Sequence, residues 1–144
     1  MTELLIVPDF ELKNLTTEVT TTLCKLRGDR PVILQLWQGN CGYCPPSLNA
    51  LAEHSAELGD DILFLSIGLE KGEGSQELVI TKMQAWPTLN HYFVKESVKE
   101  ELKKSLSFQT VPHTVFVNKV YYQAYTTFPL YTLSNFVCHM FTIY

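Results

Sequence analysis

Two short apolar runs, Val32-Ile33-Leu34-Gln35-Leu36-Trp37 and Ile62-Leu63-Phe64-Leu65-Ser66-Ile67, constrain the fold of this chain more than any other feature. Neither alternates polar with apolar residues, so neither reads as a strand with one wet face. Both read as strands buried on two sides. Between them Leu48, Leu51, Ala52, Ser55 and Leu58 recur on one helical stripe that Gly59 closes. Buried strands separated by an amphipathic helix need helices on each face of their sheet, which predicts an α/β architecture.

The flanking segments extend this order. Residues 4–7 and 10–12 read as short extended pieces around Pro8-Asp9. Leu15, Val19, Leu23 and Leu26 stand at helical spacing, with Gly28 as a stop, predicting a helix over 15–26. Residues 77–84 read as a short helix closed by Trp86-Pro87, and 89–94 as extended chain. Residues 96–105 read as a charged amphipathic helix with Glu100 and Lys104 at i,i+4 and its Glu and Lys face exposed. Thr114-Val115-Phe116-Val117 and Tyr121-Tyr122-Gln123-Ala124-Tyr125 read as strands joined at Asn118-Lys119, so the sheet is expected to finish antiparallel and to be mixed. Pro129 opens a last helix with Leu130, Leu133 and Val137 on one face. With 144 residues, 46% of them hydrophobic and 18% charged, the chain is expected to form one domain over 1–144.

The net charge of −4 argues against broad electrostatic binding to nucleic acid or anionic membrane. No apolar run approaches the ~20 residues that cross a bilayer. The N-terminal residues lack a basic region, and Pro8-Asp9 cuts their apolar run short, so no secretory signal is expected and a cytoplasmic location is. Four cysteines in a reducing compartment argue for a catalytic, redox-sensing or metal-binding pair rather than a disulfide framework.

Cys41-Gly42-Tyr43-Cys44 is that pair, placed where the first buried strand hands over to the helix. Cys41 is expected at or next to the helix N-cap, facing unpaired N–H groups and the positive end of the dipole. Such a setting lowers a thiol pKa from roughly 8.5 into the ~3.5–7.5 range. In a turn of this kind the first cysteine is the exposed one, which makes Cys41 the nucleophile and Cys44 the resolving thiol. The competing readings are an accidental or redox-dead pair, or half of a zinc site. Zinc needs two further ligands at suitable spacing. Cys24 and Cys138 lie far off beside apolar helical stripes and read as buried, inert thiols. His54, His91, His113 and His139 form no paired motif. No metal and no bound cofactor are expected.

The run from Leu34 to Cys44, with Trp37 four residues before the first cysteine, resembles the active-site segment of the thioredoxin superfamily. Val111-Pro112-His113-Thr114-Val115-Phe116-Val117 resembles that family's second signature, a cis-proline opposite the dithiol. The stretch 77–94 is similar to the helix-plus-strand insertion of TlpA-like redoxins, nucleoredoxins and tryparedoxins. The resemblance implies a thioredoxin fold with that insertion between the CxxC helix and the cis-Pro strand. It also implies a protein-disulfide oxidoreductase whose substrates are protein disulfides or a peroxidase. Electrons would come from an external reductant such as thioredoxin reductase, glutathione or another dithiol.

Departures are equally legible. Asn40 stands where the family usually carries a Trp, and Gln35 where thioredoxins place a buried Asp that helps deprotonate the second cysteine. Pro45-Pro46 follow the pair instead of lying within it and are expected to delay the regular helix to Ser47. Val111, Pro112, Tyr43 and Asn40 are the expected substrate-contacting residues, and His113 and Gln35 the expected tuners of the thiols. The alternative function is a thioredoxin-fold interaction subunit of a larger assembly. Exposed aromatics on the Tyr121–Tyr125 strand would then form its interface.

Overall fold

The computed structural model of the chain describes residues 4–118 and 123–126. The two apolar runs are strands β4 (Val32–Trp37) and β5 (Leu63–Leu69), paired in parallel and buried along their whole length. A third parallel strand, β6 (Asn90–Val94), adds to β5. On the other side of β4 lies β7 (His113–Val117), antiparallel, so the sheet is mixed as expected.

Shorter strands extend both edges. β1 (Leu4–Ile6), β2 (Glu11–Asn14), β3 (Thr20–Thr22) and β8 (Gln123–Thr126) complete the order β1-β8-β7-β4-β5-β6-β2-β3 among the described residues. The expected last helix over Pro129, Leu130, Leu133 and Val137, together with Cys138, Tyr121 and Tyr122, lies outside the described residues.

Among the described residues four helices cover the sheet. α1 (Leu23–Arg27) and α4 (Glu96–Ser105) pack Leu23 and Leu102 onto one face, against Leu34, Leu36, Val115 and Val117. α2 (Cys44–Leu58) and α3 (Ser75–Met83) pack Leu48, Leu51, Val79 and Met83 onto the other, against Ile33, Trp37, Phe64 and Phe116. Each fully buried Leu or Ile contributes about 1.5–3 kcal/mol. Alternation along β4 therefore sends odd-numbered side chains towards α2 and even-numbered ones towards α4.

Four expectations are corrected. The helix over 15–26 is a hairpin followed by a single helical stretch from Leu23. The Asn14 side chain accepts from the Thr16 and Thr17 amides at 2.8 and 2.9 Å, which turns the chain, and Glu18 follows at φ 65°. The β-branched Thr20-Thr21-Thr22 then pairs with β2, and Thr22 caps α1. Secondly, α2 starts at Cys44 and not at Ser47, because two prolines in a first turn sacrifice only N–H groups that have no helical partner.

Thirdly, α4 is not exposed along all its charges. Lys99 is 4% exposed and donates to the Glu70 carbonyl at 2.7 Å and to Glu96 at 2.9 Å. Its ion pairs run Lys99–Glu96 and Lys103–Glu100 at i,i+3, with Lys99–Glu100 at 4.0 Å, rather than Glu100–Lys104. Finally, Cys24 is half-buried on α1 rather than enclosed.

Two glycines fix how α3 meets the active-site end of the sheet. A Cβ on Gly39 would lie 2.7 Å from Leu78 Cγ, and one on Gly68 would lie 2.7 Å from Val79 Cγ1. The helix of the insertion thus rests directly on the loop that follows β4.

Candidate active site

β4 ends at Trp37, and a turn closes with the Cys41 amide donating to the Gln38 carbonyl at 3.1 Å. Cys41 lies in this turn and Cys44 opens α2, with Tyr43 as N-cap. Cys41 therefore precedes the helix by one short turn. The two cysteines form a disulfide with Cα atoms 5.5 Å apart. Cys44 is 1% exposed, against Leu48 and Trp37, while Cys41 is half-buried. Asn40 is exposed beside it, and Tyr43 is 84% exposed on the tip of the motif.

The helix start offers less than a full set of donors. The first four backbone nitrogens of α2 belong to Cys44, Pro45, Pro46 and Ser47, so two of the four carry no hydrogen. The dipole still points its positive end at Cys41, but fewer N–H groups remain to solvate an anion there.

The Val111–Pro112 peptide is cis, and the Val111 carbonyl lies 3.8 Å from Cys41 Sγ. Val111 and Pro112 are half-buried beside the sulfur, so the structure brings together Cys41, Cys44, Val111, Pro112, Asn40 and Tyr43.

Gln35 is fully buried on the α2 side of β4. Its amide is held by β7: the Thr114 hydroxyl donates to Oε1 at 2.7 Å, and Nε2 donates to the His113 carbonyl at 3.4 Å. A neutral amide occupied in this way offers no base to a neighbouring thiol. The His113 ring belongs to the opposite face, stacked on Phe108 at 4.8 Å. Burial pushes its pKa down, and its Nε2 is enclosed with no partner among the described residues.

A second polar cluster lies behind the turn. Trp37 Nε1 donates to Ser66 Oγ at 2.8 Å, and His91 Nδ1 also lies 2.8 Å from Ser66 Oγ. His91 Nε2 faces the Trp86 carbonyl at 2.7 Å. A carbonyl can only accept, so Nε2 carries the proton and Nδ1 accepts from the Ser66 hydroxyl. Burial lowers the His91 pKa, partly opposed by its bond to Trp86, and the imidazole is neutral. Trp86 meets Trp37 edge to face at 6.1 Å and donates to Asn49 of α2 at 2.7 Å. The sequence reading placed Trp37 four residues before the dithiol and Trp86 at a helix end, and left Ser66, His91 and Asn49 without a role. The available signal was a polar residue inside each of two apolar strands, which burial obliges to find a partner.

Among the described residues no group of three or more His, Cys, Asp or Glu side chains could hold a metal, and no helix is long and apolar enough to cross a membrane.

No family model matches the chain. Solved structures do. A thiol:disulfide interchange protein from Bacteroides sp. superposes with a TM-score of 0.75 at 15% identity, covering 92% of this chain and 85% of that one. The thioredoxin domain of a Bacteroides vulgatus thiol-disulfide oxidoreductase gives 0.74 at 14% identity, over 92% of this chain and 95% of the other. The exposed lipoprotein thioredoxin of Streptococcus pneumoniae gives 0.70 at 20% identity, over 92% and 99%. The chain has the thioredoxin fold, shared with a thiol-disulfide oxidoreductase domain, a thiol:disulfide interchange protein and a lipoprotein thioredoxin.

Proposed function

We propose that the chain is a thiol–disulfide oxidoreductase acting on protein disulfides, with Cys41 as nucleophile and Cys44 as resolving thiol. The difference in burial between the two sulfurs carries this reading: one is half-buried beside a peptide-like edge at Val111, the other 1% exposed at the start of α2.

In the dithiol state the Cys41 thiolate attacks one sulfur of a substrate disulfide. A Cys41–substrate bond forms, and the other substrate sulfur leaves as a thiolate and takes up a proton. Cys44, once deprotonated, attacks Cys41 Sγ and expels the second substrate thiolate. The substrate gains two electrons and two protons, and the Cys41–Cys44 disulfide remains. An external dithiol, glutathione or a thioredoxin reductase then restores the pair, and a peroxidase is a fitting alternative substrate. In a reducing compartment such as the cytoplasm the cycle runs towards substrate reduction. Asn40, Tyr43, Val111 and Pro112 surround the half-buried sulfur and form the substrate-contacting surface in this reading.

The clasped Gln35 and the two prolines in the first turn of α2 favour a second reading, a docking module with slow or no turnover. Insulin reduction driven by dithiothreitol separates the two. The enzyme accelerates precipitation of the insulin chains and Cys41→Ser abolishes the acceleration, whereas a wild-type rate equal to background leaves only the module. Disulfide-linked partners retained by Cys44→Ser then identify the substrate.

A further inference from the structure

A cavity of about 280 Å³ opens beside Val111, bounded by Gln38, Lys71, Lys99, Lys103, Thr110 and Val111. Three of its lining residues are lysines and none is acidic, in a chain whose net charge is −4. The cavity shares Val111 with the reactive sulfur, since that carbonyl lies 3.8 Å from Cys41 Sγ.

The three lysines are differently occupied. Lys99 is held inside the wall by Glu96 and the Glu70 carbonyl. Lys103 reaches Glu100 only at 3.9 Å, with its side chain 31% exposed. Lys71 has no ion pair among the described residues and also lines the neighbouring cavity of about 230 Å³ beside Asn40. Lys71 and Gln38 thus stand between two hollows that flank the dithiol turn. A substrate strand laid along Thr110-Val111 would place a neighbouring side chain within reach of two ammonium groups that are not fully satisfied.

We propose that this cavity is a carboxylate subsite, and that the disulfides exchanged at Cys41 come from polypeptide segments with an Asp or Glu next to the cysteine. The proposal rests on the redox reading above and names its substrate class. A carboxylate fits because it is compact and accepts from both Lys71 and Lys103, while the polar rim of Gln38, Gln109 and Thr110 offers further hydrogen bonds. A basic segment would meet Lys71 and Lys103 as like charges, and an apolar one would leave Lys71 without an ion-pair partner.

The test uses short peptides, identical except for Glu, Gln or Lys beside one cysteine, each presented as a mixed disulfide. kcat/KM for the Glu peptide is expected to exceed that for the Gln peptide by about tenfold at low salt, as two partly exposed charge pairs would give. The ratio should shrink as salt is raised. Lys71→Glu should invert the preference between Glu and Lys peptides, while Lys25→Glu, on α1 at the other end of β4, should leave it intact. In parallel, fluorescence anisotropy measures binding of the same peptides with Ser for Cys to the protein carrying Cys41→Ser and Cys44→Ser. Exchange with equal rates for all three peptides overturns the subsite and leaves the redox reading standing. A binding preference for Glu without exchange supports the subsite and overturns the redox reading. Equal binding and no exchange overturn both.

Discussion

β4 sends two large polar side chains, Gln35 and Trp37, to the same face of the sheet, and their surroundings differ in a way that separates scaffold from site. Trp37 enters a closed circuit: its N–H, the Ser66 hydroxyl, both nitrogens of His91 and the Trp86 carbonyl each find a partner at 2.7–2.8 Å. Gln35 enters an open one, with one bond of 2.7 Å to Thr114 and one of 3.4 Å to the His113 carbonyl. The imidazole attached to that carbonyl keeps a buried nitrogen without a partner among the described residues. Satisfied buried networks rigidify, while partly satisfied ones leave room for rearrangement. The closed circuit lies beneath the turn that carries Cys41, and the open one leads to Val111-Pro112, the edge proposed above as substrate-contacting.

Breaking the closed circuit should give the largest effect. Ser66→Ala removes the acceptor of Trp37 Nε1 and the donor to His91 Nδ1, leaving two buried groups without partners at about 2–4 kcal/mol. The corresponding change in the open circuit, Thr114→Val, keeps the shape and orphans one amide oxygen, at about 1–2 kcal/mol. Urea denaturation of both variants with unchanged m-values measures the difference. Equal losses would erase the distinction between the two circuits.

The same pairings show where the sequence was informative and where it fell silent. The strands β4 and β5 and the helices α2 and α4 announce themselves through unbroken apolar runs or a helical stripe, patterns contained in a single window of residues. Cys41 and Cys44 announce themselves through spacing. Leu15, Val19, Leu23 and Leu26 keep a helical interval by accident of a hairpin followed by one helical stretch, and the Asn14-capped turn and the Thr20-Thr21-Thr22 run are what overrule it. The polar circuits depend on register between strands: Ser66 lies opposite His91, and Gln35 opposite Thr114. Those partners stand 25 and 79 residues apart, a distance no local pattern spans. The lysine-lined cavity is assembled in the same way, from the end of β4, the loop after β5, α4 and the segment before β7.

Acid should sharpen the comparison by an intermediate amount. Burial holds the pKa of both His91 and His113 below the ordinary value of 6.5. Between its folded and unfolded pKa each histidine is neutral in the native chain and protonated in the unfolded one, so the unfolded state binds more protons. This contribution to stability is complete above about pH 6.5 and is lost as pH falls, by at most roughly 1.4 kcal/mol per pH unit for each ring, until the folded pKa is passed. Glu96, whose carboxyl is held low by its hydrogen bond to Lys99, adds a separate loss only below its ordinary value of 4.5. Urea midpoints between about pH 5 and pH 7 span the window of His91 and His113 and stay above that of Glu96. A flat profile there would mean that neither imidazole is kept neutral by the fold.

The smallest stability effect is expected at His113, and its smallness is the informative part. His113→Phe removes a buried nitrogen that has no partner among the described residues and keeps a ring stacked on Phe108. Replacing an unsatisfied polar atom by an apolar one of similar shape is close to neutral, so the change at pH 7 should lie within about 0.5 kcal/mol. At about pH 5 the variant should be the more stable protein, because one proton-linked loss has been deleted. His91→Phe, by contrast, strips the Ser66 hydroxyl and the Trp86 carbonyl of their partner and should cost about 2–3 kcal/mol at pH 7, and less at about pH 5, where its own proton-linked loss has been deleted. Titrating the Cys41 thiol in His113→Phe adds a second comparison. The ring lies on the face of the sheet opposite α2, so the thiol pKa should not move, and a clear shift would restore His113 as a tuner of the dithiol.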